Sequence, residues 1–230
     1  MMSTCSVDMK LGENPRFRYK KIVPLIRDDR QIYTRELGGA YTKPDEVLAS
    51  IERVAPRQGL PIIGPKRGLF LDEVIERHRP TTILEVGTLV GYSAIRMARH
   101  LPDGGHVTCV ELSEERARTA LANFERAGLS ERIEVILGDA RSVLPTLKGR
   151  FDMVFFDAVK EDYLYYLKSI EGLLRQGSVV VADNVKSHAE EVAPYLEYVR
   201  KSGRYSSTYR EAPPNFGNGP GDAVEISIRL

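Results

Sequence analysis

Long apolar runs are missing from this sequence. The richest, such as the Val-Val-Val-Ala of residues 179–182, fall far short of the ~18–20 residues needed to cross a bilayer. Cysteine is scarce: Cys5 lies in an irregular N-terminal stretch and Cys109 inside HVTCVEL, which reads as a core strand. Two such thiols build neither a disulfide framework nor a cysteine metal cluster. Charge of one sign is lacking too, since 33 basic against 32 acidic residues leave a net +1 and no global pull toward nucleic acid or an anionic membrane. The opening residues carry no apolar segment of a secretory signal, so the expected location is cytoplasmic with reduced thiols. Charge is uneven only between Lys10 and Arg35, where eight Lys/Arg face three Asp/Glu. Such a stretch is a solvated arm or a contact for phosphates.

What is present is an α/β rhythm. Thr42-Lys43-Pro44-Asp45 predicts a helix start, GLPIIGPKRG (59–68) a loop, and LFLDEVIERH a helix stopped by Pro80. Strands TTILEV, HVTCVEL, RIEVILG, FDMVFFD and SVVVAD then alternate with helices over about 91–100, 113–127, 140–147, 161–174 and 188–202. Five short apolar strands separated by helices imply a parallel sheet covered on both faces. The turn-rich APPNFGNGPG and the alternating AVEISIRL add a hairpin-like closing pair with an antiparallel C-terminal strand. The expected fold is thus a Rossmann-like, doubly wound, mostly parallel seven-stranded sheet. Residues 44–230 would form one domain, with 1–43 as a basic arm or helices packed on it.

Ligands in such sheets bind beyond the carboxyl ends of the strands. Here each strand ends in an acid: Glu85, Glu111, Asp139, Asp157 and Asp183-Asn184. Glu85-Val-Gly87-Thr-Leu-Val-Gly91 resembles a dinucleotide loop, but a carboxylate stands where the first glycine belongs and would repel a pyrophosphate. Gly87 permits close backbone approach, Glu111 can accept from both ribose hydroxyls, and Asp139-Ala140 would lie near a base. Acids around an adenosine without phosphates point to S-adenosylmethionine, with an NAD-type ligand as the alternative. Asp157, Asp183 and Asn184 end neighbouring strands and offer only oxygen, which selects a hard cation such as Mg²⁺. Otherwise they form a helix cap and a turn. Lys160 stands to take a proton from a metal-activated hydroxyl, or simply pairs with Glu161 and Asp162.

FDMVFFDAVKEDY with SVVVADNV resembles the metal-dependent, S-adenosylmethionine-dependent O-methyltransferases of the catechol and caffeoyl-CoA group. EVGTLVGYSAIRMARHL is similar to the animal catechol enzymes, whereas LPIIGP is closer to bacterial members, some acting on small phenols and some on a hydroxyuridine of tRNA. The resemblance covers about residues 44–230. It implies that Asp157, Asp183 and Asn184 hold Mg²⁺ and that Lys160 is the general base. It further implies that Glu111 holds the cofactor ribose, that Glu85, Gly87 and Ser93 lie around its methionine end, that Ile63 touches it from the preceding loop and that Ala140 lies on the adenine side; Asp139 and Asp157 are expected to contact the cofactor as well. The chain departs from the catechol enzymes in having no tryptophan. Val159 stands where one would follow the metal aspartate, and PPNFGNGPG replaces a region that supplies a further acid. The expected enzyme methylates a hydroxyl of a small aromatic, catechol-like acceptor, as a monomer or homodimer with no membrane partner. The alternatives are tRNA methylation and a non-catalytic module that binds S-adenosylmethionine.

Overall fold

A computed structural model describes residues 20–22 and 43–230. Among the described residues, eight strands form one sheet: β1 (Lys20–Ile22), β2 (Thr82–Val86), β3 (His106–Glu111), β4 (Ile133–Leu137), β5 (Phe151–Phe156), β6 (Leu174–Asp183), β7 (Tyr205–Ala212) and β8 (Asp222–Arg229). Their order is β1-β4-β3-β2-β5-β6-β8-β7. Strands β4, β3, β2, β5 and β6 run parallel, and β8 enters antiparallel between β6 and β7. This is the expected seven-stranded mixed sheet with one antiparallel C-terminal strand. It is extended at one edge by β1, which pairs antiparallel with β4 and which the alternating pattern did not predict. Beyond Lys20–Ile22, the basic 10–35 segment, Cys5 and Thr42 lie outside the described residues.

The helices are α1 (Pro44–Gln58), α2 (Gly64–His78), α3 (Tyr92–Ala98), α4 (Glu114–Arg126), α5 (Ala140–Val143), α6 (Tyr163–Ile170) and α7 (Ala193–Lys201). Strand alternation divides the core in two. Ile83, Val107, Met153, Phe155 and Val181 pack with apolar residues of α1–α4 on one face of the sheet. Leu84, Val110, Val154, Phe156 and Val180 pack with α5–α7 on the other. Both phenylalanines are fully buried, and each contributes roughly 1.5–3 kcal/mol by leaving water. No described helix is long and apolar enough to cross a membrane.

Three boundaries differ from expectation. Residues 59–68 are not all loop, because α2 begins at Gly64 with Pro65 in its first turn, where a missing N–H is harmless. The 161–174 helix is split, with 3₁₀ turns at Lys160–Asp162 and Glu171–Leu173 flanking α6. The last helix begins at Ala193, after turns, rather than near residue 188.

Strand β2 neighbours β3 on one side and β5 on the other, so successive connections leave in opposite directions there. The carboxyl ends of β2 and β5 meet at this switch point, where the Asp157 N–H donates to the Val86 carbonyl at 2.9 Å. A crevice for ligands is expected at this place in an open α/β sheet.

Candidate active site

The β2–α3 loop forms one half of the site. Gly87, Leu89 and Gly91 have φ of 93°, 51° and 83°, so three of five consecutive residues are left-handed. Only glycine fits at Gly87, since a Cβ there would run into the Asp157 backbone carbonyl. Two carboxylates pin this loop. Glu111 accepts from the Thr88 and Leu89 N–H groups at 3.1 and 2.9 Å through Oε2, and from the Ser113 N–H at 2.9 Å through Oε1. Glu85, fully buried, accepts from Ser93 Oγ at 2.5 Å and Thr88 Oγ1 at 2.9 Å. Burial pushes its carboxyl up to about 7 even though those hydroxyls favour the anion. Glu85, Ser93 and Glu111 therefore shape the loop, with unused lone pairs left on their oxygens. Asp139 instead caps α5, accepting from the Arg141 N–H at 2.8 Å, with Ala140 as the first residue of that helix.

The other half gathers Asp157, Lys160, Asp183 and Asn184. Strands β5 and β6 are hydrogen-bonded neighbours, which brings Asp157, just past the end of β5, beside Asp183 at the end of β6. Lys160 Nζ donates to Asp157 Oδ1 at 2.8 Å and to Tyr163 Oη at 2.9 Å. Glu161 and Asp162 are not its partners here. Tyr163 is fully buried, and its hydroxyl lies 3.0 Å from the Phe156 carbonyl and 3.2 Å from that of Asp183, tying the two strand ends together. Asp183 is fully buried as well; burial, then the Asp157 charge, raises its carboxyl to about 7 against the pull of Arg67.

Arg67, on the first turn of α2, is a site residue that the sequence reading missed because it assigned GPKRG to a loop. Its Nη2 donates to Asp183 Oδ2 at 3.1 Å. Its Nε lies 2.9 Å from Asp183 Oδ1 but off the hydrogen-bond line, so neither of those two buried atoms has a hydrogen-bond partner. Asp222, at the start of β8, was missed too. It accepts from Asn184 Nδ2 at 2.7 Å and Ser187 Oγ at 2.7 Å. Burial opposes its ionisation, but these bonds and backbone N–H groups outweigh that and hold the carboxyl down at about 2. Asn184 has φ of 62°, a conformation that asparagine tolerates better than most residues.

An all-oxygen donor set of two carboxylates and one amide suits a hard cation. With Asn184 Nδ2 held by Asp222, its carbonyl oxygen faces the other way, and Asp183 Oδ1 lacks a hydrogen bond. The Asn184 oxygen is thereby left for a ligand, whereas Asp183 Oδ1 already lies 2.9 Å from the Arg67 guanidinium, whose place a cation would have to share. Among the described residues no three His, Cys, Asp or Glu side chains gather as a metal site.

Comparison with known proteins places the chain in a family. The sequence profile of the O-methyltransferase family matches residues 40–202. The chain is 36% identical over 195 residues to catechol O-methyltransferase B of Danio rerio, covering 81% of this chain and 73% of that protein. It is 35% identical over 175 residues to catechol O-methyltransferase of Bos taurus, covering 72% of this chain but 63% of that protein, less than two thirds of its length. The crystal structure of the O-methyltransferase from Bacillus cereus in complex with SAH superimposes with a TM-score of 0.72 at 29% identity, covering 81% of this chain and 91% of that one. With a matching profile over most of its length, this fold and this constellation at the switch point, the chain belongs to the O-methyltransferase family.

Proposed function

We propose that this protein moves a methyl group from S-adenosylmethionine to a hydroxyl of a small, catechol-like aromatic acceptor, with Lys160 as general base. One observation carries the reading: Lys160, Asp157, Asp183 and Asn184 converge at two adjoining strand ends, beside the glycine loop. The catechol-acting relatives and the SAH held by the Bacillus protein support it.

The residues divide the work. The left-handed loop at Gly87 lets the donor approach the backbone, and Glu85 and Glu111 keep that loop in shape. Asp157, Asp183 and Asn184 would hold a divalent cation such as Mg²⁺, which when bound supplies a Lewis acid that favours the ionised acceptor hydroxyl. Lys160, kept in place by Asp157 and Tyr163, acts as the neutral amine, whose lone pair takes the proton that this hydroxyl loses. The acceptor oxygen attacks the methyl carbon, the carbon–sulfur bond breaks, and its electron pair stays on sulfur. Two vicinal hydroxyls would suit a site holding such a cation.

The test is product analysis with methyl-labelled S-adenosylmethionine and a panel of catechols, flavonoids and tRNA, with and without chelator. Monomethylated catechols, lost on chelation and restored by Mg²⁺, are expected. Full activity in chelator would remove the cation from the reaction, and methylation of tRNA alone would overturn the acceptor class.

A further inference from the structure

The first turn of α2 is capped by a residue from the far end of the chain. A helix leaves its first N–H groups without internal partners, and the residue just before it usually supplies the acceptor. That residue is Ile63, which has no polar side chain and makes no cap. Asn215, in the loop between β7 and β8, does this instead: its Oδ1 accepts from the Lys66 N–H at 2.9 Å and its Nδ2 donates to the Ile63 carbonyl at 2.5 Å. Lys66 Nζ adds a bond to the Pro214 carbonyl at 2.5 Å. The space is made by Gly64, whose φ is 71° and where any Cβ would collide with the Asn215 amide.

This clamp borders the proposed active site. Arg67, the residue after Lys66, holds Asp183, and Asp222, where the loop rejoins the sheet opposite Ala212, holds Asn184. The loop is thus tied through Asn215 to the residue beside Arg67 and through Asp222 to Asn184. Pro213 and Pro214 stiffen it, and Phe216, next to Asn215, is left partly exposed.

We propose that Asn215 is a positioning residue, which caps α2 from the β7–β8 loop and thereby fixes that loop as the rim against which the methyl acceptor is oriented. This rests on the methyltransferase reading above, and the test separates the two. For Asn215→Ala, hydrogen–deuterium exchange should quicken together in peptides covering 60–70 and 213–221. The KM for 3,4-dihydroxybenzoate should rise about tenfold and the ratio of its two monomethylated products should shift, while the Kd for S-adenosylhomocysteine stays within about twofold. Asn215→Asp keeps an acceptor for Lys66 but loses the donor to Ile63, so it should fall between. Unchanged exchange refutes the clamp whatever the activity. Faster exchange with unchanged KM and product ratio refutes the role toward the acceptor. A parallel loss of S-adenosylhomocysteine affinity makes Asn215 a general brace of α2 and overturns the proposal. A wild-type protein that methylates no catechol refutes the catechol-acceptor reading and the rim role together, leaving the exchange result to judge the clamp alone.

Discussion

Replacing Glu85 by glutamine should make the protein more tolerant of alkaline pH, by an amount the fold dictates. Glu85 is fully buried in the middle of the sheet and its carboxyl lies at about 7 against an ordinary 4.5. Between those two values the folded protein keeps a proton that the unfolded chain has released. Stability therefore falls as pH rises through this window and levels off above 7. The gap of about 2.5 pH units, at 1.36 kcal/mol each, is worth about 3 kcal/mol. Glutamine cannot ionise, and the hydroxyls of Ser93 and Thr88 can rotate to suit its amide. Urea unfolding of both proteins at pH 5, 6, 7 and 8 reads the effect. Asp183, also raised to about 7, titrates in both proteins and cancels in the difference. The variant's stability relative to wild type should climb by most of that ~3 kcal/mol between pH 5 and pH 7. A difference that stays constant across this range would refute the argument from burial.

Lys160→Met should lower kcat by roughly 10²–10³-fold with the Kd for S-adenosylhomocysteine nearly unchanged, measured by steady-state kinetics and calorimetry; equal losses in both would make the lysine structural. Gly87→Ala forces a Cβ into the Asp157 carbonyl at a left-handed φ, so denaturation should show a loss of about 2–4 kcal/mol together with weaker donor binding. Arg67→Met strands the buried Asp183 carboxylate, and because that group lies at about 7 and can protonate instead, the charge cost at pH 8 should reach at most about 1.4 kcal/mol. The cost should shrink below pH 7, where Asp183 can take up a proton; an equal cost at pH 6 and pH 8 would contradict this.

The strands were legible because they are short, apolar and buried on both faces, as in FDMVFFD and SVVVAD. The acids at their ends were legible for the same reason, since a charge that stops a buried run marks where the chain leaves the core. Asp157, Lys160, Asp183 and Asn184 could be named before any coordinates. Arg67 could not, because Gly-Pro-Lys-Arg-Gly has the composition of a loop and its helical state depends on a distant cap. Tyr163 stood among several tyrosines, with nothing local to single it out as the one that ties two strand ends together.

From the sequence alone came the α/β class, the number of principal strands and the identity of the strand-end acids, because periodicity and termination are local properties. Tertiary structure alone decided what those acids touch. Glu111 and Glu85 brace a loop, Asp139 caps a helix, Asp183 shares its charge with Arg67, and Asn184 is oriented by Asp222. A side chain's partners are set by which distant elements fold against it, here α2 and β8 closing over the end of β6, and no local pattern encodes that meeting.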